Sequence, residues 1–143
     1  MGTTQSPMWK VDAVPEVRAW IAGLDADSQE RIEILLRLLE RHGPTLGRPY
    51  CDLVKGSGLK NMKELRASSQ RDEALRILFC FDSARAAILL VGGDKSGEWG
   101  PWYDENIPVA EARLVRHEKA LAIEADAPSR RPRIRGRKKG RKS

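Results

Sequence analysis

Histidine and cysteine are scarce here, with two of each in 143 residues. Cys51 and Cys80 have no CxxC partner and no neighbouring histidine, so they indicate neither a zinc site nor a disulfide framework. Buried, reduced thiols are expected, with no metal and no cofactor. Long apolar runs are missing too. Nothing approaches the roughly 20 residues needed to cross a bilayer, and the N-terminal stretch lacks the basic start and unbroken apolar core of a signal peptide. The expected location is the cytoplasm, with no membrane partner. Acid is absent from residues 130 to 142, which hold nine of the chain's 26 Lys and Arg. Without those nine, 17 bases face 20 acids, a balance of −3, so the formal charge of +6 belongs to the tail. Any argument for nucleic-acid binding by the body therefore rests on local clustering rather than net charge.

What is present is one domain's worth of alternating apolar patterns. Val14, Val17, Trp20, Ile21 and Leu24 recur at helical spacing, with Pro15 suited to a first turn and Gly23 to the end. A second helix is expected from Asp27, whose carboxylate can cap, through Ile32, Leu35, Leu36 and Leu39 to His42-Gly43-Pro44. The short connection favours an antiparallel hairpin. A loop over residues 43 to 58 leads to three antiparallel strands, around Leu59–Ala67, Glu73–Asp82 and Ala86–Val91. In the middle strand Leu75, Ile77, Phe79 and Phe81 alternate onto the face that meets the helices, and Arg76 takes the other face. Residues 92 to 103 read as a long, aromatic loop before a last helix capped by Asp104 or Asn106, with Pro108 in its first turn and an end near Ala125. The fold class is α+β: an N-terminal helical hairpin packed on a small, mainly antiparallel sheet, with a C-terminal helix. Residues 1–8 are expected to form a flexible leader, 9–125 the domain and 126–143 a disordered basic tail.

The cations Lys60, Lys63, Arg66, Arg71, Arg76 and Lys95 recur along these strands, as a phosphate-handling surface requires. An arginine in mid-sheet asks for a carboxylate, a phosphate or water, and Glu64 on the neighbouring strand is the internal alternative for Arg76. Lysines on strand edges also serve simply to block aggregation. Trp99, Trp102 and Tyr103 can stack on RNA bases or pin a helix to the core, and the core is favoured for Trp102. His42 is expected at its helix end and His117 in solvent.

The order of Lys60-Asn61-Met62-Lys63-Glu64-Leu65-Arg66, then Leu75-Arg76-Ile77-Leu78-Phe79-Cys80-Phe81, then Leu89-Leu90-Val91-Gly92-Gly93-Asp94-Lys95, resembles the RelE/ParE toxin superfamily over residues 9 to 123. It looks closest to the phage-derived, HigB-like branch. The resemblance implies a type II toxin-antitoxin toxin: a ribosome-dependent mRNA endoribonuclease that inhibits translation, arrests growth and is neutralised by a cognate antitoxin, expected to be a helix-turn-helix protein. Some members of the superfamily poison DNA gyrase instead. Carried over, Arg66 and Arg76 match the sheet arginines, Lys63 a basic strand position and Lys95 the lysine after the last strand; Tyr103 completes the catalytic set. The histidine or tyrosine often found at the end of the sheet in HigB toxins has no histidine counterpart here, which leaves acid and base open, and the basic tail lies outside the family pattern.

Metal-free RNA cleavage needs a base for the 2′-hydroxyl, charge compensation for the phosphorane and an acid for the leaving 5′-oxygen. Arginine forks suit the second task, Lys63 or Lys95 the first, and Tyr103 or a lysine the third. Lys60, Arg71, Trp99 and the tail residues Arg133, Arg135, Arg137, Lys138 and Lys139 are expected to hold RNA, the tail as an electrostatic tether to ribosomal RNA or as a non-specific polycation. The alternative from another class is a non-catalytic binder, either a gyrase-poisoning relative or a nucleic-acid-binding module.

Overall fold

The computed structural model describes residues 8–58, 61–68, 74–95 and 99–126. Lys60, Arg71 and the tail residues Arg133, Arg135, Arg137, Lys138 and Lys139 lie outside the described residues, as does the leader through Pro7.

The chain runs β1 (Val11–Ala13), α1 (Pro15–Ala22), α2 (Ala26–His42), a 3-10 turn (Gly43–Thr45), β2 (Cys51–Leu53), β3 (Lys63–Ser68), β4 (Ala74–Phe81), β5 (Ala87–Lys95) and α3 (Gly100–Ala125). The α+β class, the N-terminal helical pair and the C-terminal helix are as expected. The sheet has five strands rather than three, in the order β1-β5-β4-β3-β2, with β1 parallel to β5 and every other pairing antiparallel. The two added strands are three residues each, too short to show a period of two.

Pro15 sits in the first turn of α1, where its missing N–H costs nothing. The cap of α2 is Asp25, not Asp27: the Asp25 carboxylate accepts from the Ser28 N–H at 2.7 Å, while Asp27 lies in the first turn and pairs with Arg31 at 3.1 Å. Ile32, Leu35 and Leu39 form the buried stripe of α2. The helix ends at Gly43, whose φ of +56° suits glycine and whose place against the Trp9 indole leaves no room for a Cβ, which would stand 2.5 Å from the ring.

Helices cover both faces of the sheet. Gly92 lies against Trp20 of α1 and Gly93 against Trp102 of α3, and successive strand residues point to opposite faces. The second face of β4 is therefore buried as well, with Leu78 and Cys80 as enclosed as Leu75, Ile77 and Phe79. A bulge between Leu78 and Phe79 skips Leu90 on β5, and Arg113 of α3 donates to the Leu90 carbonyl at 2.8 Å.

The aromatic loop expected over residues 92 to 103 is mostly absorbed into structure. β5 runs on through Lys95, and α3 begins at Gly100 with Pro101 in its first turn, which leaves Pro108 inside the helix instead of at its start. The pair Gly92-Gly93 carries the signature of a turn, but here it gives two aromatic rings close access to the sheet. A Cβ at Gly93 would lie 2.7 Å from the Trp102 indole, whereas one at Gly100 would meet nothing within 4 Å. Gly93→Ala is accordingly expected to cost about 1–3 kcal/mol in urea unfolding, and Gly100→Ala to cost nothing measurable. Equal stability of the two variants would contradict this packing.

His117, expected in solvent, instead bonds Asp82 Oδ2 at 2.8 Å, and the other Asp82 oxygen accepts from the Ala84 and Ala86 N–H groups of the β4–β5 turn. Their sequence separation hid this pairing. Cys51 and Cys80 are buried free thiols, with Cys80 pushed up to about 11 by burial.

Candidate functional site

Arg66 of β3 and Arg76 of β4 are direct partners in the antiparallel register, and Arg76 is in turn opposite Gly93 of β5. Directly opposed residues share a face, so both guanidinium groups lie on the side covered by α3, the side where Trp102 meets Gly93. Glu64, two residues before Arg66, joins them by the alternation of the strand.

A continuous polar chain crosses this face. Arg66 Nε donates to Glu64 Oε2 at 2.7 Å, and its Nη2 lies 2.5 Å from the same oxygen and 3.6 Å from Asp52 Oδ2 on β2. Asp52 also holds Arg48 at 3.0 Å. From α3 the Tyr103 hydroxyl donates to Glu64 Oε1 at 2.5 Å and accepts a short hydrogen bond from Arg76 Nη1. The Arg76 guanidinium also lies 4.5 Å from the centre of the Trp99 ring, a cation–π distance. Trp99, Trp102 and Tyr103 pack on one another, Trp99 and Tyr103 each edge-on to Trp102.

Glu64 is only 2% exposed, so its charge is tolerable because Arg66 neutralises it and Tyr103 caps its other oxygen. Burial, reinforced by the Glu64 carboxylate, raises the Tyr103 phenol above its ordinary value and keeps its proton on. Burial alone would lower Arg66, but the hydrogen bond and charge of Glu64 outweigh it and hold the guanidinium above its ordinary value. With its side chain 41% exposed, Arg66 opens onto a cleft of about 640 Å³ between the β2–β3 segment and α3.

Of the residues picked from the sequence, Arg66, Arg76, Tyr103 and Trp99 come together in this row. Lys63 does not join them: the strand alternation turns it to the other face, where Nζ donates to the Pro44 carbonyl at 3.0 Å, just beyond α2. Lys95 ends β5 opposite Ala74, two residues past Gly93. Neither histidine lines the cleft. In the sequence Glu64 reads only as a structural partner for Arg76; its spacing of two from Arg66 is the signal for a shared face. Arg48 and Asp52 fell in the apparent loop and gave none. Among the described residues no His, Cys, Asp and Glu grouping is arranged to hold a metal, and no helix is long and apolar enough to cross a membrane.

Residues 19–115 match the family described as Phage derived protein Gp49-like. Similar curated proteins include "Putative toxin HigB2" of Mycobacterium tuberculosis, 44% identical over 128 residues, and "Putative toxin HigB3" of the same organism, 50% identical over 100 residues. These alignments cover 90% and 70% of this chain, which spans 62% of the length of the first relative and 85% of the second. The Escherichia coli protein YahJ, described as uncharacterized, is 36% identical over 75 residues, 51% of this chain and 15% of its own length. The resemblance to the HigB-like branch drawn from the strand motifs is borne out, and the chain belongs to the phage-derived Gp49-like family.

Proposed function

We propose that the protein is the toxin of a type II toxin-antitoxin pair and acts as an mRNA endoribonuclease on the ribosome, by metal-independent attack of the 2′-hydroxyl on the scissile phosphate. The observation that carries this reading is the adjacent pair Arg66 and Arg76, joined through Tyr103 and Glu64, with Arg66, Glu64 and Tyr103 lining an open cleft and Arg76 behind Tyr103. Two guanidinium groups on neighbouring strands match the oxygens of a phosphodiester and stay charged at any physiological pH. As the phosphorane forms, its added negative charge is met by Arg66, which opens onto the cleft, while Arg76 acts from behind through the Tyr103 hydroxyl it holds. Trp99 and Tyr103 hold Arg76 in place, and Glu64 holds Arg66.

Tyr103 is assigned the acid. Its raised value keeps the phenol protonated at neutral pH, so it has a proton to give a departing 5′-oxygen when its bond to Glu64 is released, though the same shift makes it a weaker acid. The base is assigned to Lys95, whose backbone stands two residues beyond the Gly93 opposite Arg76. Lys60, Arg71 and the tail from Arg133 to Lys139 add phosphate contacts and a salt-dependent tether to ribosomal RNA. The partners under this reading are an antitoxin of the helix-turn-helix type, the ribosome and mRNA, in the cytoplasm.

Tyr103→Phe is expected to slow cleavage of ribosome-bound mRNA about 100-fold with the fold unchanged. Because the folded phenol titrates above the ordinary value of about 10, the rate of the unaltered protein should not fall through neutral and mildly alkaline pH on account of this group. By the same sign, any contribution of this group to stability is complete below about pH 10 and is lost as pH rises through the raised value. Full activity of Tyr103→Phe would remove it from the mechanism.

One observation favours the non-catalytic alternative. Arg66 is already clasped by Glu64 and approached by Asp52, as a purely structural arginine would be. Gyrase poisoning without new RNA ends on expression would select that alternative.

A further inference from the structure

We infer that Arg48 and Arg66 form a phosphate seat at the cleft, and that the Asp52 carboxylate occupies this seat until an RNA phosphate displaces it. Its ligand class, a phosphodiester, rests on the nuclease reading of the same cleft. Arg76 stands behind Tyr103 and does not line the cleft, whereas Arg48, Lys55 and Arg66 do. Arg48 is therefore the second guanidinium that a bound chain can reach directly, although its place in an apparent loop gave no sign of it in the sequence.

Arg48 lies in the turn before β2, where the Gly47 carbonyl accepts from the Tyr50 and Cys51 N–H groups, each at 3.1 Å. Its guanidinium and that of Arg66 converge on one atom. Asp52 Oδ2 accepts from Arg48 Nε at 3.1 Å, lies 3.0 Å from Arg48 Nη2 and stands 3.6 Å from Arg66 Nη2. The other oxygen, Oδ1, accepts from the Leu53 N–H at 2.9 Å. That bond, with Arg48 and Arg66 adding to it, holds the Asp52 carboxyl below its ordinary value, so Oδ2 is a charged oxygen shared by two arginine forks. An oxygen of a bound phosphodiester asks for the same surroundings.

The two carboxylates at Arg66 differ in how firmly they hold it. Glu64 is 2% exposed and meets Arg66 through both Nε and Nη2, so it stays when a ligand arrives. The Asp52 side chain is 24% exposed and that of Arg48 79%, and the Asp52 approach to Arg66 is the longer one. Exposed pairs of this kind contribute little to stability, because water competes for both partners. A phosphodiester presents two anionic oxygens in the geometry of a guanidinium fork, and so it exchanges for Asp52 at small cost. Asp52 thereby neutralises the arginine pair in the free protein and sets a threshold on anion binding.

The test is fluorescence anisotropy of a labelled trinucleotide carrying 2′-O-methyl groups, which block attack by the 2′-oxygen, on the full chain and on two variants, with cleavage of ribosome-bound mRNA assayed on the same preparations. The basic tail is common to all three proteins, so differences between them report the cleft. Asp52→Asn keeps an Oδ1 for the Leu53 N–H and removes the competing charge. It should bind the probe about fivefold tighter than the unaltered chain. Arg48→Ala should bind about tenfold more weakly and flatten the log–log salt dependence by roughly 0.7, with the thermal midpoint unshifted. Binding by Asp52→Asn that is equal or weaker, or binding by Arg48→Ala that is unchanged, overturns the seat. Cleavage by the unaltered chain with no gain in binding by Asp52→Asn overturns the seat and leaves the nuclease standing. Tighter binding by Asp52→Asn and weaker binding by Arg48→Ala, without cleavage by the unaltered chain, support the seat and count against the nuclease alone.

Discussion

Arg76→Ala is expected to abolish growth arrest on induced expression, with RNA cleavage down about 10²–10³-fold, and to leave a folded protein. The two halves of this expectation come from different sides of the residue. On the structural side, its partners among the described residues are the Tyr103 hydroxyl and the Trp99 and Tyr103 rings. Losing one hydrogen bond and the cation–π contacts with the Trp99 and Tyr103 rings costs about 1–3 kcal/mol, while Leu75 and Ile77 on either side remain packed in the core. On the chemical side, the proposed mechanism has the guanidinium hold the Tyr103 hydroxyl and add positive charge behind the phosphorane. Growth curves and circular dichroism read the two separately. A variant that is unfolded would assign Arg76 to structure, and a folded one that still arrests growth would remove it from the site.

Glu64→Ala should have the opposite profile, with stability lost first. Its carboxylate is buried and holds both Arg66 and Tyr103, so its removal leaves the Tyr103 hydroxyl without its acceptor and Arg66 with only the more distant Asp52 and solvent. Breaking a buried ion pair from one side costs about 3–5 kcal/mol, and the half-exposed Arg66 places this case near 3. Glu64→Gln keeps an acceptor for Tyr103 and is expected to cost about 1 kcal/mol. Urea unfolding with unchanged slope would measure both. A loss below about 0.5 kcal/mol for the alanine variant would show that the carboxylate does not knit the row together. The same geometry makes Arg66→Ala a less clean test than Arg76→Ala, because it leaves the Glu64 charge buried with a phenol alone.

The two N-terminal helices and the central strand were legible because each is long enough to display its period: Ile32, Leu35 and Leu39 in α2, and Leu75, Ile77 and Phe79 in β4. β1 and β2 were not, since three residues carry no period, and their pairing is decided by neighbours distant in sequence. The α2 cap was misplaced by two residues because two aspartates precede Ser28 and local pattern does not rank them. For the site, the opposition of Arg66 and Arg76 followed from strands in an antiparallel pair, while the exclusion of Lys63 followed from the same alternation and was missed. Tyr103 reaches Glu64 only because α3 starts early, at Gly100, a boundary that Gly92-Gly93 and the tryptophans obscured by mimicking a loop. Where a motif's meaning depended on what packs above the sheet, one chain's pattern did not contain it.

The most direct measurement is the mapping of new RNA 5′ ends in cells shortly after induced expression, comparing the unaltered chain with Arg76→Ala at matched protein levels. The account predicts a burst of ends within translated regions for the former and none above background for the latter. Growth arrest by the unaltered chain with no new RNA ends, or identical ends from the arginine variant, would contradict it.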